Sequence, residues 1–465
     1  MSVPYWVQDA IFYQIFPDRF ANGDLRNDPV NVQPWGSTPT FWNFMGGDLR
    51  GIITNFDYLI DLGVTAIYLN PICLSTSNHR YNVSDYFQID PKLGDMVDFQ
   101  SLLSLAHQNE VRIILDGVFN HSGRGFFAFN DILENQEHSP YRDWYHIRRF
   151  PVSAYGTGKT EEYLAWWGIP SLPKFNTANS AVRKYLFSVG RYWIQQGADG
   201  WRLDVPNEID DDEFWAEFRD TVKSVNRDAY LVGEIWMADP RWVGDHHFDG
   251  LMNYPLRDAL IEFLASGFLT ASEFADKIEG LLTLYPRENV YAMYLPLGSH
   301  DTERLLTLMD GILEKVKLAF AFQFAYPGAP AIYYGDEVAI TGGKDPDCRK
   351  AFPWRPEERN AELHGWVQQL IALRKQHGIL RRGDFKRVAV DDRHNVYAFA
   401  RTLSSQAVLV AINASPARRE VRVPVNGLGF RNGQELRNLL GGEHYIVFGE
   451  VLALDLPPWG VVWAA

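Results

Sequence analysis

The stretch GADGWRLDVPNE, residues 197–208, decides how the rest of the chain is read. Trp201, Leu203 and Val205 alternate with Arg202 and Asp204, the two-residue period of a β-strand with opposite faces. The neighbouring segments suggest a strand buried on both sides, and buried charges without partners are costly. An arginine and an aspartate on one face of such a strand therefore need a chemical reason.

Similar short apolar runs recur on either side of it, each followed by Gly, Asn, Asp or Pro and then by a helical pattern. They are Ala10 to Phe16, Val64 to Asn70, Arg112 to Val118, Gly200 to Val205, Tyr230 to Ile235, Phe248 to Asn253, Tyr291 to Gly298 and Ala329 to Tyr334. Strand and helix in alternation predict a parallel sheet, and eight such units predict a (β/α)8 TIM barrel over residues 1–120 and 179–382. The connection after the third strand is too long for a loop, so 121–178 is read as an inserted subdomain. From 383 to 465 the pattern changes to short strands and turns, such as VYAFAR and AVLVAIN, which predicts a C-terminal antiparallel β-sandwich.

Composition narrows the function. A chain of 465 residues, 46% hydrophobic and 22% charged, can bury a large core. Its 44 basic against 58 acidic residues give a net charge of −14 and no basic stripe, which argues against nucleic acid as a partner. Cys73 and Cys348 are too few for a disulfide framework. The start, MSVPYWVQDA, has no signal-peptide pattern and no apolar run reaches membrane-spanning length, so a cytoplasmic protein without membrane partner is expected.

Barrel enzymes carry their chemistry at the carboxyl ends of the strands. Asp116, Asn120 and His121 end the third strand, Arg202 and Asp204 the fourth, Glu234 the fifth, and His300 with Asp301 the seventh. Each has a bland explanation taken alone: a core ion pair, a helix cap, a satisfied histidine. Four strands delivering such residues to one rim is hard to explain that way. His246 and His247 are adjacent and are read as surface or packing, not as metal ligands.

The motifs DGVFNH, GWRLDVPNE, GEIW and GSHD resemble, in order and spacing, the four signatures of the α-amylase family of glycoside hydrolases, and the likeness covers essentially the whole chain. LPKFN at 172–176 and GGKDPDCR at 342–349 are similar to elements of its cyclomaltodextrinase, neopullulanase and maltogenic amylase group. The resemblance implies Asp204 as nucleophile, Glu234 as general acid/base and Asp301 as the third carboxylate. It implies sugar contacts from Tyr81, His121, Arg202, Trp236, His300, Asp345 and Arg349, with Asp116 in support. Arg202 would keep Asp204 ionised, while Ile235 and Trp236 would give Glu234 an apolar setting that raises its pKa. Retention requires these two carboxyl groups roughly 5 to 5.5 Å apart. Trp166 and Trp167 are open as substrate contacts or core, and Trp201 is read as core.

In RFANGDLRND, residues 19–28, Asn22, Asp24, Asn27 and Asp28 crowd one turn. The residues alone allow either a calcium site or plain turn chemistry. In the resembled group this spacing carries calcium, with Gly46 and Asp48 completing the site, so a structural calcium ion is expected. That group usually has a further amino-terminal domain ahead of the barrel, whereas here the first strand begins by Ala10. The expectation is an open acceptor side and hydrolysis of α-1,6 branch linkages, with or without α-1,4 linkages, in starch- or glycogen-type glucans. An α-1,4-specific cyclodextrin hydrolase or a transglycosidase would share every catalytic residue. A non-catalytic subunit of this fold would lack a carboxylate, and none is missing. Any homodimer would use other surfaces. Pro206, Phe175 and Asn82 depart from the family pattern; none of these departures removes a catalytic group, and they bear on the acceptor side of the cleft.

Overall fold

The computed structural model describes residues 3–465. Eight short parallel strands form the barrel: β1 (Phe12–Ile15), β2 (Ala66–Leu69), β3 (Arg112–Gly117), β4 (Gly200–Leu203), β5 (Tyr230–Gly233), β6 (Gly250–Leu251), β7 (Tyr294–Pro296) and β8 (Ala329–Tyr333). Their hydrogen-bonded order is β6-β5-β4-β3-β2-β1-β8-β7, and a parallel bridge between Met252 and Tyr294 closes the ring. Covered by helices outside and packed side chains inside, these strands are buried along nearly their whole length, which is why they read as continuous apolar runs. All eight expected strands are present.

The crossover helices start where the sequence offers caps. Asp95 and Asp98 form a capping box at the helix Met96–Gln108, Asn179 caps Ser180–Gln195, and the Asp211 carboxylate accepts from Phe214 N–H at the start of Asp212–Val225. Asp116 pairs with Arg202, and Leu203 with Gly233, so the polar residues beyond these positions emerge at one level of the rim.

Between β3 and the helix Ser180–Gln195 the chain makes a largely irregular excursion with one short helix, Phe127–Asn135. Its aromatic side chains continue the core of the barrel: Phe129 packs edge-on against Tyr145 and Tyr163, and Phe175 stacks on Tyr145. Phe175 therefore serves packing. The bridge His121 to Lys174 ties this layer to the rim. His246 and His247 lie in a turn ahead of β6, not on a strand, and His247 pairs with Asp212.

Beyond the barrel, two four-stranded antiparallel sheets share an apolar core of Ala398, Leu409, Leu452 and Leu454 among others. A buried arginine from the first sheet joins this sandwich to the barrel. Arg401, on the strand Val396–Leu403, donates to the carbonyls of Ala325, Leu380 and Gly383, and Arg374 donates to Phe324, Tyr326, Leu380 and Gly328. Ala325 ends the helix Leu313–Ala325, so both cations sit at its negative end and satisfy carbonyls the helix cannot. Arg401→Ala should remove one donor from each of three buried carbonyls; Leu380 keeps Arg374 and Gly383 keeps the Tyr291 hydroxyl, so the cost is about 1–3 kcal/mol for the Ala325 carbonyl, beside the lost packing. The expected result is a Tm several degrees lower, measured by calorimetry.

Candidate active site

Arg202 ends β4 with its side chain fully buried in the barrel mouth. One of its nitrogens, Nη1, lies 2.8 Å from Asp116 Oδ1 and 2.9 Å from Asp204 Oδ1, and the other, Nη2, lies 2.7 Å from Glu234 Oε1. One guanidinium thus serves carboxylates from β3, β4 and β5. Asp116 is further held by the hydroxyls of Tyr68 at 2.5 Å and Tyr81 at 2.7 Å.

The expected contact with Asp204 is thus present, and Arg202 reaches Asp116 and Glu234 as well. Burial pushes the Asp204 carboxyl well above the ordinary carboxylate range; Arg202 pulls it back, and Glu234 and Asp116 push it further up. Glu234 is raised too, first by burial, with Arg202 lowering it and Asp301 raising it. Two carboxyls that share one buried cation titrate as a pair, and burial raises both. The rise at Glu234 was expected from an apolar wall that included Trp236. Burial is the first cause of that rise; Trp236 itself stacks on Tyr254, with ring centroids 3.8 Å apart, and is partly exposed.

After Asp204 the backbone turns sharply. Val205 has φ +36°, an outlier for a β-branched residue, and its N–H points at Glu234 Oε2, 3.2 Å away. Pro206 follows as the first residue of a short 3-10 turn, whose carbonyls at Pro206 and Ile209 accept from the Trp215 indole.

Asp301 has a different environment. His300 Nε2 lies 3.0 Å from its Oδ2, and Arg349 Nη2 lies 3.0 Å from its Oδ1. Burial pushes its carboxyl up, but His300 and Arg349 outweigh that and hold it well below the usual range. It is also about a third exposed (34%), so its charge faces the cleft. Arg349 bridges on to Asp345 at 3.0 Å.

Tyr81 stacks on the His300 ring at an interplanar angle of 8°. His121 is buried; its Nε2 is 3.1 Å from the Tyr81 carbonyl, and burial pulls its pKa down to about 4, so it is a neutral donor at ordinary pH. The outer face of His121 stacks on Trp166, which stacks on Trp167 with centroids 4.4 Å apart. Trp167 has φ +51° and is 72% exposed. Trp201 is core, as expected, with its indole N–H on the Gly190 carbonyl. Asp116, Asp204, Glu234, Asp301, Tyr81, His121, Arg202, His300, Asp345 and Arg349 therefore converge on one rim. Sequence reasoning missed Gln14, Tyr68 and Asn70, which lie directly behind them. The signal was available in Gln14, an amide in an otherwise apolar buried strand.

The second cluster lies around residues 22–48. Asp48 accepts from the N–H groups of Gly23, Asp24 and Gly51 and from Asn27 Nδ2, while Asn22 Nδ2 donates to Asp28. With both amide nitrogens so engaged, Asn22 Oδ1 and Asn27 Oδ1 are buried acceptors without a partner. Gly46 faces them at φ +80°, and a Cβ there would run into Asp28 and Asn22. Asp24 differs from expectation: its carboxylate forms a bidentate pair with exposed Arg26. Among the described residues no group of three or more His, Cys, Asp or Glu is placed to hold a metal, so any site here would combine the carboxylates of Asp28 and Asp48 with amide and carbonyl oxygens.

Residues 14–362 match the model of the α-amylase catalytic domain, and 385–463 match that of the maltogenic amylase C-terminal domain. The chain belongs to the α-amylase family. It is a glycoside hydrolase of the cyclomaltodextrinase, neopullulanase and maltogenic amylase type. A cyclomaltodextrinase of Geobacillus thermopakistaniensis is 47% identical over 463 residues, covering 99% of this chain and 77% of that one. The cyclic α-maltosyl-(1→6)-maltose hydrolase of Arthrobacter globiformis superimposes with TM-score 0.91 at 39% identity, over 100% of both chains. The debranching enzyme of Nostoc punctiforme does so with TM-score 0.91 at 40% identity, over 100% of this chain and 99% of its own.

Proposed function

We propose that the enzyme is a retaining α-glucan hydrolase in which Asp204 attacks the anomeric carbon, Glu234 protonates the leaving oxygen and Asp301 stabilises the oxocarbenium-like transition state. The observation that carries this reading is the sharing of Arg202 between Asp204 and Glu234. A retaining hydrolase needs one carboxylate and one carboxylic acid side by side, and two carboxyls that share one cation and titrate as a pair can supply both. Asp301, compensated separately by Arg349 and His300, stays ionised and faces the cleft, where a developing positive charge would be stabilised. Tyr81 offers a ring face to the reacting sugar, His300 and Arg349 offer polar contacts, and Trp167, seated on Trp166, offers a stacking surface for a further sugar.

Asp204→Asn should lower turnover by at least about a thousandfold while maltooligosaccharide binding by calorimetry stays within a few-fold, because only the covalent step is lost. Glu234→Gln should impair a glucan far more than an α-glucosyl fluoride, whose leaving group needs no proton. Equal losses on both would remove Glu234 from the acid role.

For bond preference the reading is cleavage of α-1,6 branch linkages, with or without α-1,4 linkages. Its support is the end-to-end likeness to two solved enzymes named for debranching and for a cyclic maltosyl-(1→6)-maltose substrate. The competing α-1,4 and cyclodextrin reading is favoured by the 47% identity to a cyclomaltodextrinase. A singly branched oligosaccharide should be cleaved at the branch with kcat/KM at least about tenfold above a linear chain of equal length, a difference in transition-state binding. Branch points left intact would decide for the α-1,4 reading.

The cradle at Asn22, Asn27, Asp28, Gly46 and Asp48 fits a hard cation, since the two orphaned amide oxygens are what calcium takes and what no N–H donor here supplies. We assign it a structural calcium ion. Chelation should lower the Tm of the wild type and have little further effect on Gly46→Ala, whose methyl group closes the cradle; a wild-type Tm indifferent to chelator, with no calcium by elemental analysis, would empty the site.

A further inference from the structure

Gln14 lies in the middle of the barrel wall on β1, in register with Tyr68 of β2 and Tyr333 of β8, and is fully buried. Its Nε2 lies 3.0 Å from Asn70 Oδ1 and 2.9 Å from His300 Nδ1, while its Oε1 is buried with no partner. A residue present only to fill space would be apolar here, because an unmatched buried acceptor is destabilising.

The orientation of this amide follows from the charge on Asp116. Asp116 Oδ2 accepts from the hydroxyls of Tyr68 and Tyr81, so each phenol has committed its single proton. Only lone pairs remain on those oxygens, and Asn70 Nδ2 donates to them at 3.2 and 3.0 Å. Asn70 must then turn its carbonyl oxygen towards Gln14. Gln14 must answer with Nε2, since the flipped amide would set two acceptors against each other. The same nitrogen, a donor only, faces His300 Nδ1, which must accept. An imidazole whose Nδ1 accepts carries its proton on Nε2, and there it points at the Tyr81 oxygen, 2.6 Å away, and at Asp301 Oδ2, 3.0 Å away.

We propose that Gln14 is a positioning residue for the hydrolysis: it relays the hydrogen-bond polarity set by Asp116 to His300, fixing that proton on Nε2, on the side that faces the cleft. This rests on the reading that His300 donates to a hydroxyl of the reacting sugar. A second proton at Nδ1 would meet the Gln14 amide hydrogens, so the relay also holds the ring in the state that keeps Asp301 supplied with one directed donor. Gln14 itself, fully buried, touches no substrate.

Neutron diffraction from crystals of the deuterated wild-type enzyme tests this directly. The expected result is a deuteron on His300 Nε2, a bare Nδ1, and the Gln14 ND2 group turned to both His300 and Asn70. A deuteron on Nδ1, or a Gln14 carbonyl oxygen facing it, overturns the proposal whatever the variants do. In solution, Gln14→Met keeps the volume and removes the donor. It should lower kcat about tenfold, as loss of an outer partner of a functional histidine does, with KM within about twofold of wild type. Histidine 15N shifts in that variant should show His300 divided between its two tautomers. Wild-type kcat together with a single Nε2-protonated form would overturn the positioning role. His300→Asn tests the underlying reading separately: unchanged turnover there would take His300 out of the sugar site without altering the neutron result.

Discussion

The ion cluster around Arg202 is the constraint on which the barrel mouth depends. Three carboxylates from three neighbouring strands lie around a single buried guanidinium, and none could be desolvated there without it. The planar fork of arginine can serve several oxygens at once, which a lysine ammonium could not do with the same geometry. This fixes the register of β3, β4 and β5, since a slip of one residue would send Arg202 to the outer face and leave Asp116 and Glu234 uncompensated. Three carboxyls against one guanidinium leave the cluster two positive charges short, and that deficit, added to burial, keeps the carboxyls of both Asp204 and Glu234 raised.

The cluster around Asp301 is balanced the other way. Arg349 and His300 both reach its carboxylate, and Arg349 also neutralises Asp345. Burial raises the carboxyls of both clusters, yet Asp204 and Glu234 end up high and Asp301 low. The neighbours make the difference: Glu234 and Asp116 stand beside Asp204 and raise it, whereas His300 and then Arg349 act on Asp301 and lower it. An active site that needs acids of opposite tendency can obtain both by giving them different partners.

Much of this was legible in the sequence because buried polar residues break an apolar pattern. Arg202 and Asp204 do so in GWRLDV, Glu234 in GEIW, and His300 with Asp301 in GSHD, and the eight strands were visible by the same contrast. Gln14 breaks the pattern of FYQI just as plainly, but a neutral amide carries no charge to demand a partner, so it attracted no functional reading. What could not be read was pairing across strands. Nothing local to Arg202 says that it touches Glu234, 32 positions on, and nothing local to Trp236 says that it lies flat on Tyr254. The bidentate pair of Asp24 with Arg26 was likewise hidden, since an acidic residue in a turn looks the same whether it faces inward or outward.

The turn after Asp204 shows how the backbone takes part in the same balance. Val205 occupies a left-handed conformation that is sterically unfavourable for a β-branched side chain by about 1–3 kcal/mol, so something must hold it there. On one side is the ring of Pro206, which fixes the next residue at the start of the 3-10 turn; on the other is the Trp215 indole, which donates to two carbonyls of that turn. The outcome is an N–H that points back at Glu234 Oε2 while Arg202 occupies Oε1. Relaxing Val205 to ordinary extended backbone would turn that N–H away and leave Glu234 with the shared guanidinium alone. The strain is thus tied to the position of the carboxyl that must give and take a proton, and the departure from pattern at Pro206 sits where it can hold that strain in place.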